Sequence, residues 1–165
     1  MSGSLSVVLP VLNAERTLAK NLEHVLEVLS DLRARFEVLI VDQGSTDQTA
    51  DVAHEMAVTF PQLRVAQRRL EPSEPSGWEA DLHQTTGEFV FVHQGHIPFN
   101  VNDFRRLWEI CRAQRDGLCG AETAGLATGP PGLVSTTEPT SLGGPFLGLR
   151  CELGGIHALL RRRVR

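Results

Sequence analysis

FEVLIVDQGSTDQTADVA, residues 36–53, decides how the rest of the chain is read. Phe36 to Val41 is apolar apart from Glu37, and a short bounded run of that kind reads as a strand buried in a sheet. Asp42 ends the run, and Gly44 and Ser45 turn the chain. Ser45 or Thr46 stands where a helix cap is needed. The helix that follows would bury Val52, Ala53, Met56, Ala57 and Phe60, with Pro61 closing it. Strand, tight turn and helix make half of a β-α-β unit, so the question is whether the pattern repeats.

It does, in both directions. Upstream, Leu5 to Leu9 is a second strand-like run ended by Pro10. Asn13 then reads as the cap of a helix with apolar residues at Leu18, Leu22, Val25, Leu26, Leu29 and Leu32. Downstream, Leu63 to Ala66 predicts a third strand. Arg68 to Gly77 holds prolines, serines and a glycine and predicts a loop. Trp78 to Thr86 predicts a short helix, and Phe89 to Val92 a fourth strand. Asn102 reads as the cap of a helix with Phe104, Leu107, Trp108 and Cys111 on one face. Strands alternating with helices imply an α/β fold, a mostly parallel sheet covered on both sides in a three-layer sandwich.

The character changes near Asp116. Residues 117–150 are rich in Gly, Pro, Thr and Ser, and predict a loop-rich segment with one or two short strands. Ile156 to Leu160 reads as a last helical turn or two, followed by Arg161, Arg162, Arg163 and Arg165, a solvated basic tail. The organisation expected is one domain over residues 1–165, with a core at 4–115 and an irregular remainder at 116–165.

The composition narrows the function classes. With 41% hydrophobic and 22% charged residues in a chain of 165, there is enough apolar material for a core. A formal charge of −4 argues against bulk electrostatic binding of nucleic acid. Cys111, Cys119 and Cys151 match no zinc spacing and read as reduced thiols. No signal-peptide pattern opens the chain, and no apolar run approaches the roughly 20 residues that span a bilayer. The expectation is a cytoplasmic protein without a transmembrane segment.

In an open parallel sheet, ligands bind beyond the carboxyl ends of the strands. That places the informative residues at Pro10, Leu12 and Asn13, at Asp42, Gln43 and Gly44, and at His93, Gln94, Gly95 and His96. Asp42 has two readings, a turn residue bonded to its own backbone or an acceptor facing a ligand. Asn13 reads first as a helix cap, and Ser45, Thr46 and Asp47 as a capping cluster whose amides attract an anion. His93 and His96 read as surface residues, with a metal ligand or proton donor as the sharper alternatives. Glu79 and Asp81 read as solvated, and Trp78 as core.

Three segments together resemble family 2 glycosyltransferases. SVVLPVLNAERTL is similar to their first strand and helix start. FEVLIVDQGSTDQTADVA is similar to their second strand, which usually ends in a pair of aspartates. TTGEFVFVHQGHIPF falls where the family has its fourth strand and then an Asp-X-Asp motif. The resemblance covers roughly residues 4–115. It implies the GT-A fold, a Rossmann-like sheet that binds a UDP- or GDP-linked sugar. It places the nucleotide at Pro10, Leu12, Asn13, Asp42, Gln43 and Gly44.

The departures from that family pattern are specific. Gln43 stands where the second aspartate of the pair would be. His93, Gln94 and Gly95 stand where the family holds Mg²⁺ or Mn²⁺ with two carboxylates, and hard cations want oxygen ligands. After Asp116 the only side-chain carboxylates are Glu122, Glu138 and Glu152, so a base for the acceptor hydroxyl has no obvious source. The sequence therefore implies a degenerate member, with no metal cofactor expected. It would bind a nucleotide or nucleotide-sugar weakly, or serve as a scaffold or regulatory subunit, without metal-dependent sugar transfer.

Two alternatives stay open. One is an active glycosyltransferase moving a hexosyl group without the usual metal, helped by His93 or His96, or completed by a partner chain. The other is an interaction module that binds no nucleotide. A homodimer or partner chain would cover the apolar surface left by a shortened second half.

Overall fold

The structure is a computed structural model that describes residues 3–68, 81–93, 99–117, 134–136, 146–153 and 156–161. Its frame is a run of strands and helices in chain order: β1 (Ser4–Val11), α1 (Leu18–Asp31), β2 (Arg35–Asp42), α2 (Thr49–Thr59) and β3 (Leu63–Gln67). A 3-10 turn at Leu82–Gln84 leads into β4 (Phe89–His93), followed by α3 (Val101–Gly117), β5 (Val134–Thr136), β6 (Phe146–Leu153) and β7 (Ile156–Arg161). The seven strands form one sheet in the order β3-β2-β1-β4-β7-β6-β5. The first four named in that order run parallel, and β7, β6 and β5 extend the block antiparallel. The α/β class and the parallel core expected from sequence are both present.

Strand periodicity sorts the core into two sides. Leu5, Val7 and Leu9 of β1, Val38 and Ile40 of β2, and Phe89 and Phe91 of β4 share one face with buried apolar residues of α1, α2 and α3. Val8, Leu39, Val41, Val90 and Val92 share the other face with Leu82 of the 3-10 turn. Burial on both sides is why these strands read as continuous apolar runs rather than alternating ones.

Four expectations about local structure are corrected. Ile156–Leu160 is not helical: it lies in β7, where Ile156 is opposite His93 and fully buried. A run too short for a stable helix gains more from pairing with the edge of β4. The cap of α3 is Asn100 rather than Asn102, since Asn100 Oδ1 accepts the amides of Asn102 (2.9 Å) and Asp103 (3.3 Å). Asn13 does not cap α1, which begins at Leu18 after a turn closed by Ala14 O. Neither Ser45 nor Thr46 caps α2, which begins at Thr49. Of the helix expected at Trp78 to Thr86, the described part is the 3-10 turn and Asp81, while Trp78 and Glu79 lie outside the described residues. So do Arg162, Arg163 and Arg165 of the basic tail, whereas Arg161 belongs to β7.

One network at the amino ends of the strands sets the register of β4. The Ser6 hydroxyl donates to Glu37 Oε1 (2.6 Å) and accepts the Gly87 amide (2.8 Å). Glu37 Oε1 also accepts the Thr86 amide and hydroxyl, and Arg64 lies 3.5 Å from Glu37 Oε2. Gly87 is required there, because a Cβ would fall 2.6 Å from the Leu5 carbonyl carbon and the Ser6 nitrogen. Burial pushes the Glu37 carboxyl up, but the Ser6 and Thr86 hydrogen bonds and the Arg64 charge outweigh it and leave the pKa lowered.

Candidate functional site

The loops that leave β1 and β2 are laced together at the carboxyl edge of the sheet. The Asn13 amide donates to Ser45 Oγ (2.9 Å), and Asn13 Oδ1 accepts the Thr46 amide (2.9 Å). The Ala14 amide donates to Thr49 Oγ1 (2.8 Å), and the Glu15 amide to Asp47 Oδ2 (3.2 Å). Glu15 Oε2 in turn accepts the Gln48 amide at 3.0 Å. The lacing explains the left-handed backbone of Asn13 (φ +48°), a conformation that asparagine tolerates better than most residues.

This lacing decides several readings. Asp42 is buried, and its Oδ1 accepts both the amide (3.1 Å) and the hydroxyl of Ser45. The turn reading of Asp42 is thus realised. The reading of the Ser45–Asp47 cluster as an anion-attracting cap is corrected. The amides of Ser45, Thr46, Gln48 and Thr49 are taken by Asp42, Asn13, Glu15 and Asp47 respectively. Asp47 also accepts the Thr49 hydroxyl, which is the main reason its pKa is lowered. With those donors committed to carboxylate and amide oxygens, an external anion gains little at the start of α2. What remains outward-facing is a rim: half-buried Pro10 and Gln43, exposed Gly44, and Leu12, which is 51% exposed.

At the end of β4 the structure overturns the reading of His93 as a surface residue. It is 6% exposed. Phe89, Phe91 and His93 lie on one face of the strand and meet an aromatic row from α3 and the segment before it. Phe89 packs edge-on to Trp108 (5.4 Å), Phe91 to Phe104 (5.0 Å), and His93 tilts against Phe99 (5.4 Å). A cavity of about 420 Å³ opens beside His93, walled by Leu9, Val11, Leu18 and Phe99, with Asn21 and His24 also lining it. Gln94, Gly95 and His96 lie outside the described residues.

The residues at this place do not fit a hard divalent cation. The imidazole of His93 is packed into an aromatic row, and in the sequence an amide and a glycine follow it, so none of the three supplies a carboxylate. Among the described residues, no three His, Cys, Asp or Glu side chains gather closely enough to hold a metal ion.

A second cluster borders the rim and was not legible in the sequence. The Arg68 amide, first after β3, donates to Asp42 O at 2.8 Å. Arg68 O lies 3.5 Å from where a Cβ on Gly44 (φ +85°) would sit. The Arg68 guanidinium reaches Asp81, with Nη1 3.7 Å from Oδ2, and Gln84 Nε2 donates to Asp81 Oδ1 (3.3 Å). Asp81, expected to be solvated, is instead 6% exposed. Burial raises its pKa, and the Arg68 charge offsets that only in part.

With this edge defined, the comparisons with known proteins can be placed on it. The model of glycosyl transferase family 2 matches residues 6–125, which takes in β1 from Ser6 onward, β2 to β4, α3 and every rim residue. The chain belongs to glycosyl transferase family 2.

Relatives within and around the family are distant. A dolichyl-phosphate beta-glucosyltransferase, ALG5A of Trichomonas vaginalis, is 27% identical over 108 residues, covering 62% of this chain and 33% of its own length. An undecaprenyl-phosphate 4-deoxy-4-formamido-L-arabinose transferase of Proteus mirabilis is 38% identical over 53 residues, or 32% of this chain and 16% of that one. The family 2 chain thus spans a third or less of the length of these curated relatives. Among solved structures, the mannosyltransferase PcManGT of Pyrobaculum calidifontis, in complex with GDP-Man and Mn²⁺, superposes with a TM-score of 0.59 at 19% identity. That match covers 97% of this chain and 45% of PcManGT, and it shows that the fold is the glycosyltransferase fold expected from sequence. TarS 1–349 of S. aureus follows with a TM-score of 0.50 and 25% identity over 70% of this chain and 33% of TarS.

Proposed function

We propose that this family 2 domain binds a nucleoside diphosphate or its sugar at the carboxyl ends of β1 and β2, and does not carry out metal-dependent sugar transfer. One observation supports the reading: His93, which the resemblance sets where the family has its first metal carboxylate, is built into the core against Phe99. An imidazole in that setting does not supply the hard oxygen ligand that a divalent ion of this kind needs. The side-chain carboxylates that follow Asp116 in this sequence are Glu122, Glu138 and Glu152, so candidates for a base toward an acceptor hydroxyl are few within it.

The candidate residues then divide by role. Pro10, Leu12, Gln43 and Gly44 form the rim that a base and ribose would meet. Exposed Asn13 stands beside it, and buried Asp42 acts one step behind. Asp42 anchors the Ser45 turn through Oδ1, and Asn13 ties the β1 loop to Thr46. Residues 4–115 would be the nucleotide-binding core, and 116–165 a shortened acceptor side that completes the sheet. Because the chain spans about a third of ALG5A, a full acceptor platform is not expected from it alone.

A thermal-shift titration of the purified chain tests the reading, with UDP, GDP and their sugars, each with and without Mn²⁺. Stabilisation by a nucleoside diphosphate at the same concentration with or without the metal is the expected result. A shift that requires Mn²⁺, or metal-stimulated turnover of any nucleotide-sugar, would overturn it. No shift with any ligand would point to the alternative of an interaction module.

A further inference from the structure

On the β1 side, the edge of the site is a two-residue span, Leu12 and Asn13, that faces Gln43 and Gly44. The span is anchored beyond both ends. On one side Val11 O accepts the Gln43 amide at 2.9 Å. On the other stands Ala14, whose amide donates to Thr49 Oγ1 at 2.8 Å. The Ala14 carbonyl accepts the amides of Thr17 (3.0 Å) and Leu18 (2.9 Å), where α1 begins. Ala14 is therefore a joint between the starts of the two helices, and the Thr49 hydroxyl is its link to α2.

Thr49 is the first residue of α2 and is fully buried. Its hydroxyl works in both directions. It accepts the Ala14 amide and donates to Asp47 Oδ1, an oxygen that also takes the Thr49 amide at 2.9 Å. A carboxylate that accepts the hydroxyl proton makes the hydroxyl oxygen a stronger acceptor in turn. Asp47 Oδ2 holds the next residue of the same loop through the Glu15 amide at 3.2 Å. The apolar faces of α1 and α2 are packed by their own contacts in the core, so loss of this rung is felt first in the loop. Without the hydroxyl, the Ala14 amide has no acceptor in the laced arrangement, whereas a loop lifted from α2 gives that amide to water. A ligand that needs the laced arrangement then binds more weakly, by the fraction of the population lost.

We infer that Thr49 is the positioning residue of the rim: its hydroxyl, oriented by Asp47, pins Ala14 and so presents Leu12 and Asn13 pre-set against Gln43 and Gly44 for the base and ribose of a nucleoside diphosphate. This rests on the proposed nucleotide site and deepens it, by naming what assembles the rim before a ligand arrives. A rim assembled in advance spends none of the binding energy on ordering its loops.

The experiment is isothermal titration of the full chain with UDP, GDP, uridine and guanosine, below the unfolding midpoint of every variant. Hydrogen exchange of the Ala14 amide is read alongside. Thr49→Val removes the hydroxyl at nearly constant volume. It is expected to weaken binding by about fivefold or more, to the same degree for nucleoside and diphosphate, and to speed exchange at Ala14. Thr49→Ser keeps the hydroxyl and is expected to bind as the natural chain does. Thr59→Val is the control, at the exposed far end of α2 where the Thr59 hydroxyl donates to Glu55 O (3.2 Å), and is expected to change nothing. Equal affinity of Thr49→Val and the natural chain would overturn the proposal and leave the nucleotide site standing. A loss shared by Thr49→Ser would also overturn it, because the methyl and not the hydroxyl would be responsible. The same holds for a loss shared by Thr59→Val, which would be a general effect on α2. If the natural chain binds none of the four ligands, the nucleotide site itself falls and this inference with it. Should Thr49→Val fail to fold, Thr49→Ala and Thr49→Ser carry the test. Binding weakened in the alanine variant and kept in the serine variant supports the proposal, and equal affinity of the two rejects it.

Discussion

Glu37 and Gly87 show how much a single residue carries at the end of the sheet away from the site. A Cβ on Gly87 would overlap the backbone of β1 at 2.6 Å, and backbone cannot swing aside as a long side chain can. Gly87→Ala is therefore expected to destabilise the fold by about 2–3 kcal/mol, at the upper part of the usual range for overpacking. Urea unfolding would measure it, and a loss below ~0.5 kcal/mol would mean that β4 slides freely along β1. Glu37 supplies a pH dependence whose sign follows from its lowered pKa. A carboxyl with a depressed folded pKa contributes stability above its unfolded pKa, roughly 4.3, and loses it as pH falls through the folded value. Stability of the natural chain should fall between about pH 5 and pH 3, and Glu37→Gln should remove part of that slope. Asp81 acts in the opposite sense. Its raised pKa penalises the folded state while it is ionised, so acid relieves that penalty as pH falls through the raised value. Comparing the acid slopes of Glu37→Gln and Asp81→Asn separates the two.

At the scale of elements, the paired loops after β1 and β2 form one unit, and Asn13 is its pivot. Asn13→Gly keeps the left-handed backbone but loses the Thr46 bonds, whereas Asn13→Ala loses the bonds and adds strain at φ +48°. The alanine variant should be less stable than the glycine variant by about 1–2 kcal/mol. Thermal unfolding of the pair checks this, and equal midpoints would mean that the turn relaxes. These loops also mark what the sequence could and could not reveal. Strands and helices were legible because their signals are local: apolar runs bounded by Pro10, Asp42 and His93, and helical spacing from Leu18 to Leu32. Caps were misread, because Asn13 and Ser45 look like helix caps by position, yet they bond across the loop pair over more than thirty residues, and the remaining bonds of Ser45 go back to Asp42. Asp81 was misread as solvated for the same reason. Nothing next to it in sequence announces Arg68, which reaches it only once β3 and the 3-10 turn are side by side. Ile156 to Leu160 carries no period that separates strand from helix, and only the open edge of β4 decides between them.

That edge governs the molecule as a whole. The family match ends at residue 125, before β6 and β7. Without them, β4 would be the rim of a four-stranded sheet, a run of apolar residues that are all buried in the full chain. An unpaired apolar strand of that kind templates association between chains. Strands β6 and β7 close that edge: β7 pairs with β4 along its length, and Ile156, opposite His93, joins the core cluster that Phe91 and Phe104 share. A fragment of residues 1–117 is expected to self-associate, and sedimentation velocity would show oligomers or precipitate at concentrations where the full chain gives a discrete species. Ile156→Ala tests the same point more gently. It should cost about 2–4 kcal/mol as a large-to-small change at a fully buried site. It should also speed hydrogen exchange in β4 more than in β2, because β2 keeps both its neighbours while β4 loses the packing that holds β7 against it. If the 1–117 fragment stayed monomeric and kept the β4 amides protected, the hairpin would be an appendage, and the parallel block would be a complete fold without it.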